Sequence, residues 1–235
     1  MRTTRPLLAA IVLLLAAPGF AAPRAAAADP CPDIGVAFAR GTAESPGVGN
    51  VGQAFVDTLR QQVAPRTVGV HGVNYPASND FAGPGFIPNV VNGTRDLLDH
   101  VRGVVSACPE TEMVLGGYSQ GAMVTAFATS DARPNGVPDP APLPPDVADD
   151  VAAVVLFGKP NGPSLAKYGT PAVGPSPQFA GETLELCAPG DPVCAADSAA
   201  PWDPAAHTAY TRNGMVGQAS SFVVSHLPMD SAVIH

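Results

Sequence analysis

The chain has 235 residues, of which 24 Gly and 27 Pro make up 22%, while Asp, Glu, Lys and Arg supply only 14%, against about 25% in an ordinary soluble domain. A chain so rich in turn residues would stay unfolded if it were poor in apolar ones, but 46% of it is apolar, so one folded domain with many sharp turns is expected. The formal net charge of −8, without any cluster of basic residues, excludes a nucleic-acid surface, which needs clustered cations to displace counterions.

The N-terminus reads as an export signal. Arg2 and Arg5 precede an apolar run over residues 7–17, and Pro18, Gly19 and an alanine-rich stretch with several small-x-small sites follow. That is the pattern of a secretory signal peptide over residues 1–28, with cleavage near Ala28 and a single domain over 29–235. The run of 11 residues is too short to cross a bilayer core of about 30 Å, and no later segment is longer, so no stable membrane span is expected. Removal of residues 1–28 leaves 9 basic residues against 20 acidic ones, a net charge of −11, with Lys159 and Lys167 the only lysines. Export also accounts for Cys31, Cys108, Cys187 and Cys194, which suit two disulfides in an oxidising compartment.

In chain order, residues 34–39, 67–73, 112–116, 151–157 and 182–187 are short apolar runs bounded by Gly, Pro or charged residues, and read as buried strands. Residues 51–63, 90–106, 120–130 and 208–226 place apolar side chains at helical spacing. Alternation of the two predicts an α/β fold, a three-layer α/β/α sandwich on a five-stranded parallel sheet. Sites in such sheets lie beyond the carboxyl ends of the strands. Loops that follow strands, at 40–50, 74–88, 117–119, 158–180 and 188–206, therefore share the active side.

The same rule sorts the cysteines. Cys31 precedes the first strand and Cys108 ends a helix, so both lie on the far side, whereas Cys187 and Cys194 close and follow the fifth strand on the active side. Crossed pairings would bridge a strand length of about 17–20 Å, beyond the roughly 7 Å a disulfide allows between Cα atoms. Cys31 is expected to pair with Cys108, and Cys187 with Cys194. The six-proline stretch at 134–145 follows a helix, which puts it on the far side as a stiff surface loop.

Gly47-Val48-Gly49-Asn50-Val51-Gly52 spells a dinucleotide fingerprint, but six residues separate it from its strand and no acid lies between Asp57 and Asp80 to hold a ribose. These glycines read as a loop-to-helix turn, and no cofactor or metal is expected. Gly117-Tyr118-Ser119-Gln120-Gly121 is a stronger signal, because it joins a strand directly to a helix. This G-x-S-x-G turn lifts a serine oxygen above a sheet, with glycines where backbone must pack closely. Ser119 is the expected nucleophile, and the amide of Gln120 at the helix N-terminus one oxyanion donor.

A serine hydroxyl needs a base oriented by a third group, and in this arrangement the acid and the histidine follow in that order. His226 ends a helix that runs away from the active side and His235 is the last residue, which leaves His207 as the base. His71, in a strand, and His100, mid-helix, read as structural or solvent-facing. Asp191, in the loop between Cys187 and Cys194, is the expected acid, ahead of Asp197 and of Asp203, which reads equally as a helix cap. Thr42, in the loop after the first strand, is the second oxyanion donor, through its amide and its hydroxyl. Phe81, Phe86, Ile87 and Trp202 on active-side loops are the expected substrate contacts.

Together FARGTAE (38–44), GYSQG (117–121), CAPGDPVC (187–194) and HTAY (207–210) resemble the cutinase family, most of all the cutinase-like esterases of mycobacteria and related actinobacteria, over nearly all of residues 31–227. The resemblance implies a small α/β hydrolase without a large lid, acting on carboxylic esters of short to medium acyl chains and, in some members, on polyester cutin or lipids. It assigns Ser119, Asp191 and His207 as nucleophile, acid and base and Thr42 with Gln120 as the oxyanion hole, and it supports both disulfides. The partner expected is a small-molecule, lipid or polyester ester, met by a monomer. Acetyl-sugar esterase, phospholipase and acyltransferase activities use the same apparatus, and a secreted binding protein could keep the fold without turnover. Shortening the 134–145 stretch is expected to leave ester turnover and chain-length preference unchanged; a shifted preference in a chain-length series would place it at the site.

Overall fold

The computed structural model describes residues 31–132, 142–195 and 203–228. The predicted signal peptide, most of the proline-rich stretch, Asp197, Trp202 and His235 lie outside the described residues. Five strands, β1 (Ile34–Ala39), β2 (Val68–Gly72), β3 (Glu112–Tyr118), β4 (Val151–Phe157) and β5 (Thr183–Leu186), pair in parallel in the order β2-β1-β3-β4-β5. Parallel neighbours require crossovers, and these carry α1 (Gly49–Val63), α2 (Phe86–Ala107) and α3 (Gln120–Ala128) with the short helices α4 (Pro145–Ala148) and α5 (Gly162–Ala166). The short α6 (Pro204–His207) and the helix α7 (Met215–His226) follow β5.

Side-chain alternation along the strands divides the core in two. Val36, Phe38, Val155 and Phe157 point to one face and pack with Phe55 and Leu59 of α1 and Val223 of α7. Ala37, Ala39, Met113, Leu115 and Leu156 point to the other, against Leu97 and Leu98 of α2 and Met123 of α3. A strand buried on both faces reads as a continuous apolar run, which is why these segments were legible. The result is a three-layer α/β/α sandwich with β3 at the centre of the sheet.

Three of the boundaries that differ from expectation have a clear local reason. β3 runs on to Tyr118, because pairing with β4 holds the chain extended up to the serine. α2 begins at Phe86 rather than near 90, since Pro88 falls in its first turn, where a missing N–H costs nothing. The helix expected over 208–226 is broken. Asp203 caps α6 by accepting from the Ala205 amide, Pro204 occupies its first position, and a 3-10 turn (Ala209–Thr211) follows. Gly214 then adopts a left-handed conformation (φ 84°) and the Asn213 side chain accepts from Met215 N, so α7 starts only at Met215.

Both expected disulfides are present, Cys31–Cys108 with Cα atoms 5.6 Å apart and Cys187–Cys194 with 5.7 Å. The first joins residues 77 apart, and chain-entropy arguments assign it roughly 4.5 kcal/mol. The described end of the proline-rich stretch, from residue 142 on, meets α2 where Arg102 Nη2 donates to Pro142 O at 2.9 Å. No described helix is long and apolar enough to cross a membrane.

His71 of β2 and His100 of α2 stack with ring centroids 3.9 Å apart, and His71 Nε2 lies 2.8 Å from Asp96 Oδ2. Burial, reinforced by His71 and offset by Asp96, lowers the His100 pKa from 6.5 to about 4. Between those two values the unfolded chain binds a proton that the folded one does not, so stability falls as pH falls through that window. Thermal melts from pH 7 to 4 should show a steeper loss for the wild type than for His100→Gln; parallel curves would remove His100 from the acid response.

Candidate active site

The carboxyl ends of the strands are locked together by backbone bonds. Ser119 N donates to Phe157 O at 2.9 Å, and Gly158 N to Leu186 O at 2.8 Å, so the residue after β3 is tied to β4 and the residue after β4 to β5. Ser119 itself has φ 54° and ψ −115°, a conformation an L-residue adopts only when its surroundings impose it. The flanking glycines are what permit it: a Cβ at Gly117 would run into the Gly121 carbonyl, and one at Gly121 into the Ala39 carbonyl. The sharp turn presents the serine hydroxyl above the sheet at the start of α3.

His207 ends α6 with its ring facing that hydroxyl. Its Nε2 lies 2.8 Å from Ser119 Oγ and its Nδ1 2.8 Å from Asp191 Oδ2. Asp191 is fully buried. Burial by itself pushes its pKa up, but bonds from His207, Tyr210 and the Val193 amide hold it below the usual carboxylate value. The chain around it is a tight ring closed by Cys187–Cys194, in which Asp191 N donates to Ala188 O and Val193 N to Asp191 Oδ1, both at 2.9 Å. Asn161 clips the ring to the loop after β4 by donating from N to Val193 O at 2.9 Å, and from Nδ2 to Ala195 O just beyond the ring at 2.6 Å. Oxidised cysteines offer no thiolate, so the grouping of Cys187, Asp191 and Cys194 is a staple around a carboxylate and not a metal-ligand set.

The loop after β1 is held as firmly. Glu44 accepts from Gly41 N at 2.6 Å and from Asn50 N, in the first turn of α1, at 2.7 Å. The buried Arg40 guanidinium donates to the carbonyls of Glu44, Val73 and Tyr75. Between these clamps Thr42 Oγ1 donates to Gln120 Oε1 at 3.3 Å, and Gln120 Nε2 to Ser78 O at 3.3 Å. Thr42 and Gln120, expected together, are therefore adjacent. An open groove of about 570 Å³ extends from Thr42 along this loop past Glu44, Asn50 and Gln53.

The expected substrate contacts separate. Phe81 is 44% exposed, with its ring tilted at 60° to that of Phe86 at 5.2 Å and 6.3 Å from Tyr168. Phe86 is not on a loop but is the first residue of α2, buried beneath Phe81 and Tyr168, and Ile87 beside it is partly buried against the core. Both underpin the surface more than they form it. His226 bonds the carbonyls of Phe222 and Gly181, away from Ser119, and Asp203 serves as the cap of α6.

Sequence reasoning passed over three neighbours. Tyr118 donates from its hydroxyl to His207 O at 2.8 Å, and Tyr210 donates to Asp191 Oδ2 at 2.5 Å. Gly158, left-handed at φ 59°, sits where a Cβ would come within 2.9 Å of the Tyr210 hydroxyl and 3.2 Å of both Asp191 Oδ2 and His207 Cε1. The signals were present as the tyrosines of GYSQG and HTAY and the glycine that ends VAAVVLFG, but only the folded arrangement brings them together.

A protein-family model described as Cutinase matches residues 30–227. The chain belongs to the cutinase family. Within that family it is 42% identical over 231 residues to Carboxylesterase Culp1 of Mycobacterium tuberculosis (strain ATCC 25618 / H37Rv), covering 97% of this chain and 95% of the relative. It is 43% identical over 218 residues to Phospholipase Culp4 of the same strain, covering 93% and 88%. Among solved structures, Trichoderma reesei cutinase in complex with a C11Y4 phosphonate inhibitor aligns with a TM-score of 0.63 at 34% identity, over 86% of this chain and 79% of that one.

Gly158→Ala should lower kcat/KM on a soluble p-nitrophenyl ester on the order of 10²-fold with the circular dichroism spectrum retained, since a methyl there displaces His207 and Asp191 from register. An unchanged rate would show that the cluster has slack.

Proposed function

We propose that this cutinase-family protein is a secreted serine esterase that hydrolyses carboxylic esters of short to medium acyl chains through an acyl-enzyme. The observation that carries the reading is the unbroken hydrogen-bonded chain Ser119 Oγ, His207, Asp191, at 2.8 Å for each link. His207 takes the Ser119 proton as Oγ attacks the ester carbonyl carbon. The amides of Thr42 and Gln120 stabilise the oxyanion of the tetrahedral intermediate. The imidazolium, steadied by the ionised Asp191, then protonates the leaving alcohol. Water repeats the sequence on the acyl-enzyme and releases the acid. Because the base must be neutral to act, turnover falls as the medium becomes acidic.

Export rests on the signal-like residues 1–28 together with two disulfides, and the active domain follows from residue 29. Phe81 offers an exposed aromatic surface for an acyl chain, supported from below by Phe86. A phospholipid is the second substrate class to consider, on the strength of the 43% identity to Phospholipase Culp4.

A fluorophosphonate probe should label Ser119, as read by peptide mapping, and Ser119→Ala should lose both the label and ester turnover, the latter on the order of 10⁶-fold. Hydrolysis that survives in Ser119→Ala would overturn the mechanism. A p-nitrophenyl ester series run beside phospholipid vesicles assigns the substrate class, and acyl transfer to an added alcohol in preference to water would make the protein a transferase.

A further inference from the structure

Tyr210 lies in the 3-10 turn that follows α6, three residues beyond His207, and the two rings meet edge-on with centroids 6.5 Å apart. Its side chain is completely buried. The ring is gripped edge-on by Phe157 at 5.9 Å and Tyr118 at 5.7 Å, which leaves the hydroxyl one direction in which to point. That direction is Asp191 Oδ2, at 2.5 Å. The Ala188 amide donates to the same hydroxyl at 3.1 Å, and this fixes where its single proton goes: the phenol oxygen accepts from the backbone and donates to the carboxylate. Burial, followed by the bond to Asp191, pushes the phenol pKa far above its ordinary value, so the donor is never lost in the working pH range.

One oxygen of Asp191 thus receives both Tyr210 and His207, while Val193 N fills the other. We propose that Tyr210 is a positioning residue of the active site, which locks the Asp191 carboxylate in the plane of the His207 ring and draws off part of the negative charge that the imidazole would otherwise receive. This deepens the serine esterase reading and rests on it. The hydroxyl has two effects. It denies the carboxylate rotation, so His207 Nε2 stays aimed at Ser119. It also takes up part of the carboxylate's negative charge, so that less of it faces the His207 ring. Other titratable or charged groups near the pair are already engaged or held neutral. Tyr118 is held neutral by burial and by Glu44 and Asp191, Glu44 caps α1, Asp203 caps α6, and Lys159 pairs with Glu185 at 2.6 Å.

The test is Tyr210→Phe in the full-length exported protein, which keeps the ring and removes the hydroxyl. The expected result is a roughly tenfold loss in kcat with KM within about twofold, and an acid limb of log kcat/KM moved upward by about half a pH unit or more. A double-mutant cycle with Asp191→Asn separates positioning from general support: Tyr210→Phe should cost little further in the Asp191→Asn background. Additive losses, or a pH profile superimposable on wild type, would overturn the proposal. Site-specific 3-fluorotyrosine at position 210 keeps ring and hydroxyl but strengthens the donor, and should move the acid limb to lower pH; movement upward or none would count against it, even if Tyr210→Phe fails to fold. Fluorophosphonate labelling of Ser119 in each variant keeps the two readings apart. A labelled Ser119 with an unshifted profile sinks the role of Tyr210 alone, whereas an unlabelled wild-type Ser119 sinks the esterase reading.

Discussion

A carboxylate with no access to water costs several kcal/mol unless donors fill its oxygens, and the face of this molecule that carries Ser119 is organised by that requirement. Asp191 obtains its donors from three segments: the ring that contains it, the end of α6 and the 3-10 turn beyond. Each is held by something else. The ring is closed by a disulfide and clipped by Asn161, α6 is started by Asp203 and Pro204, and the residue after β4 is a glycine because any side chain there would enter the cluster. The buried anion therefore acts less as a source of stability than as a specification, satisfied only when the ends of β3, β4 and β5 are in register.

A second buried charge organises the neighbouring loop in a similar way. Arg40 is 5% exposed, and its guanidinium is spent on three backbone carbonyls, one in its own loop and two beyond β2. In return the Tyr75 hydroxyl donates to Arg40 O at 2.5 Å, and the ring lies under the guanidinium. With Glu44 capping α1, the loop that carries Thr42 is tied to α1 and to the chain after β2. In a chain with so few charged residues, these are used inside the fold to set backbone geometry as well as on its surface for solubility.

Much of this was legible in the sequence. Strands buried on both faces announce themselves as apolar runs, and the G-x-S-x-G turn is tied to its context because backbone has to pass where side chains would sit. Sidedness then paired the cysteines and ranked the acids and histidines. The rest depends on tertiary contacts that have no sequence period. Asn213-Gly214 was a break signal hidden by the helical spacing on either side of it. Phe86 reads as a loop residue until Pro88 is recognised as a first-turn proline. Tyr210 and Gly158 matter only because they converge on one carboxylate from different elements.

The aromatic cluster of Phe81, Phe86 and Tyr168 is built from the loop before α2, the first turn of α2 and the segment after α5. None of its side chains bonds to the hydrogen-bonded chain that runs from Ser119 to Tyr210. The aromatic cluster and the hydrogen-bonded chain thus stand on separate mechanical supports, so a substitution in the first leaves the bonds of the second in place.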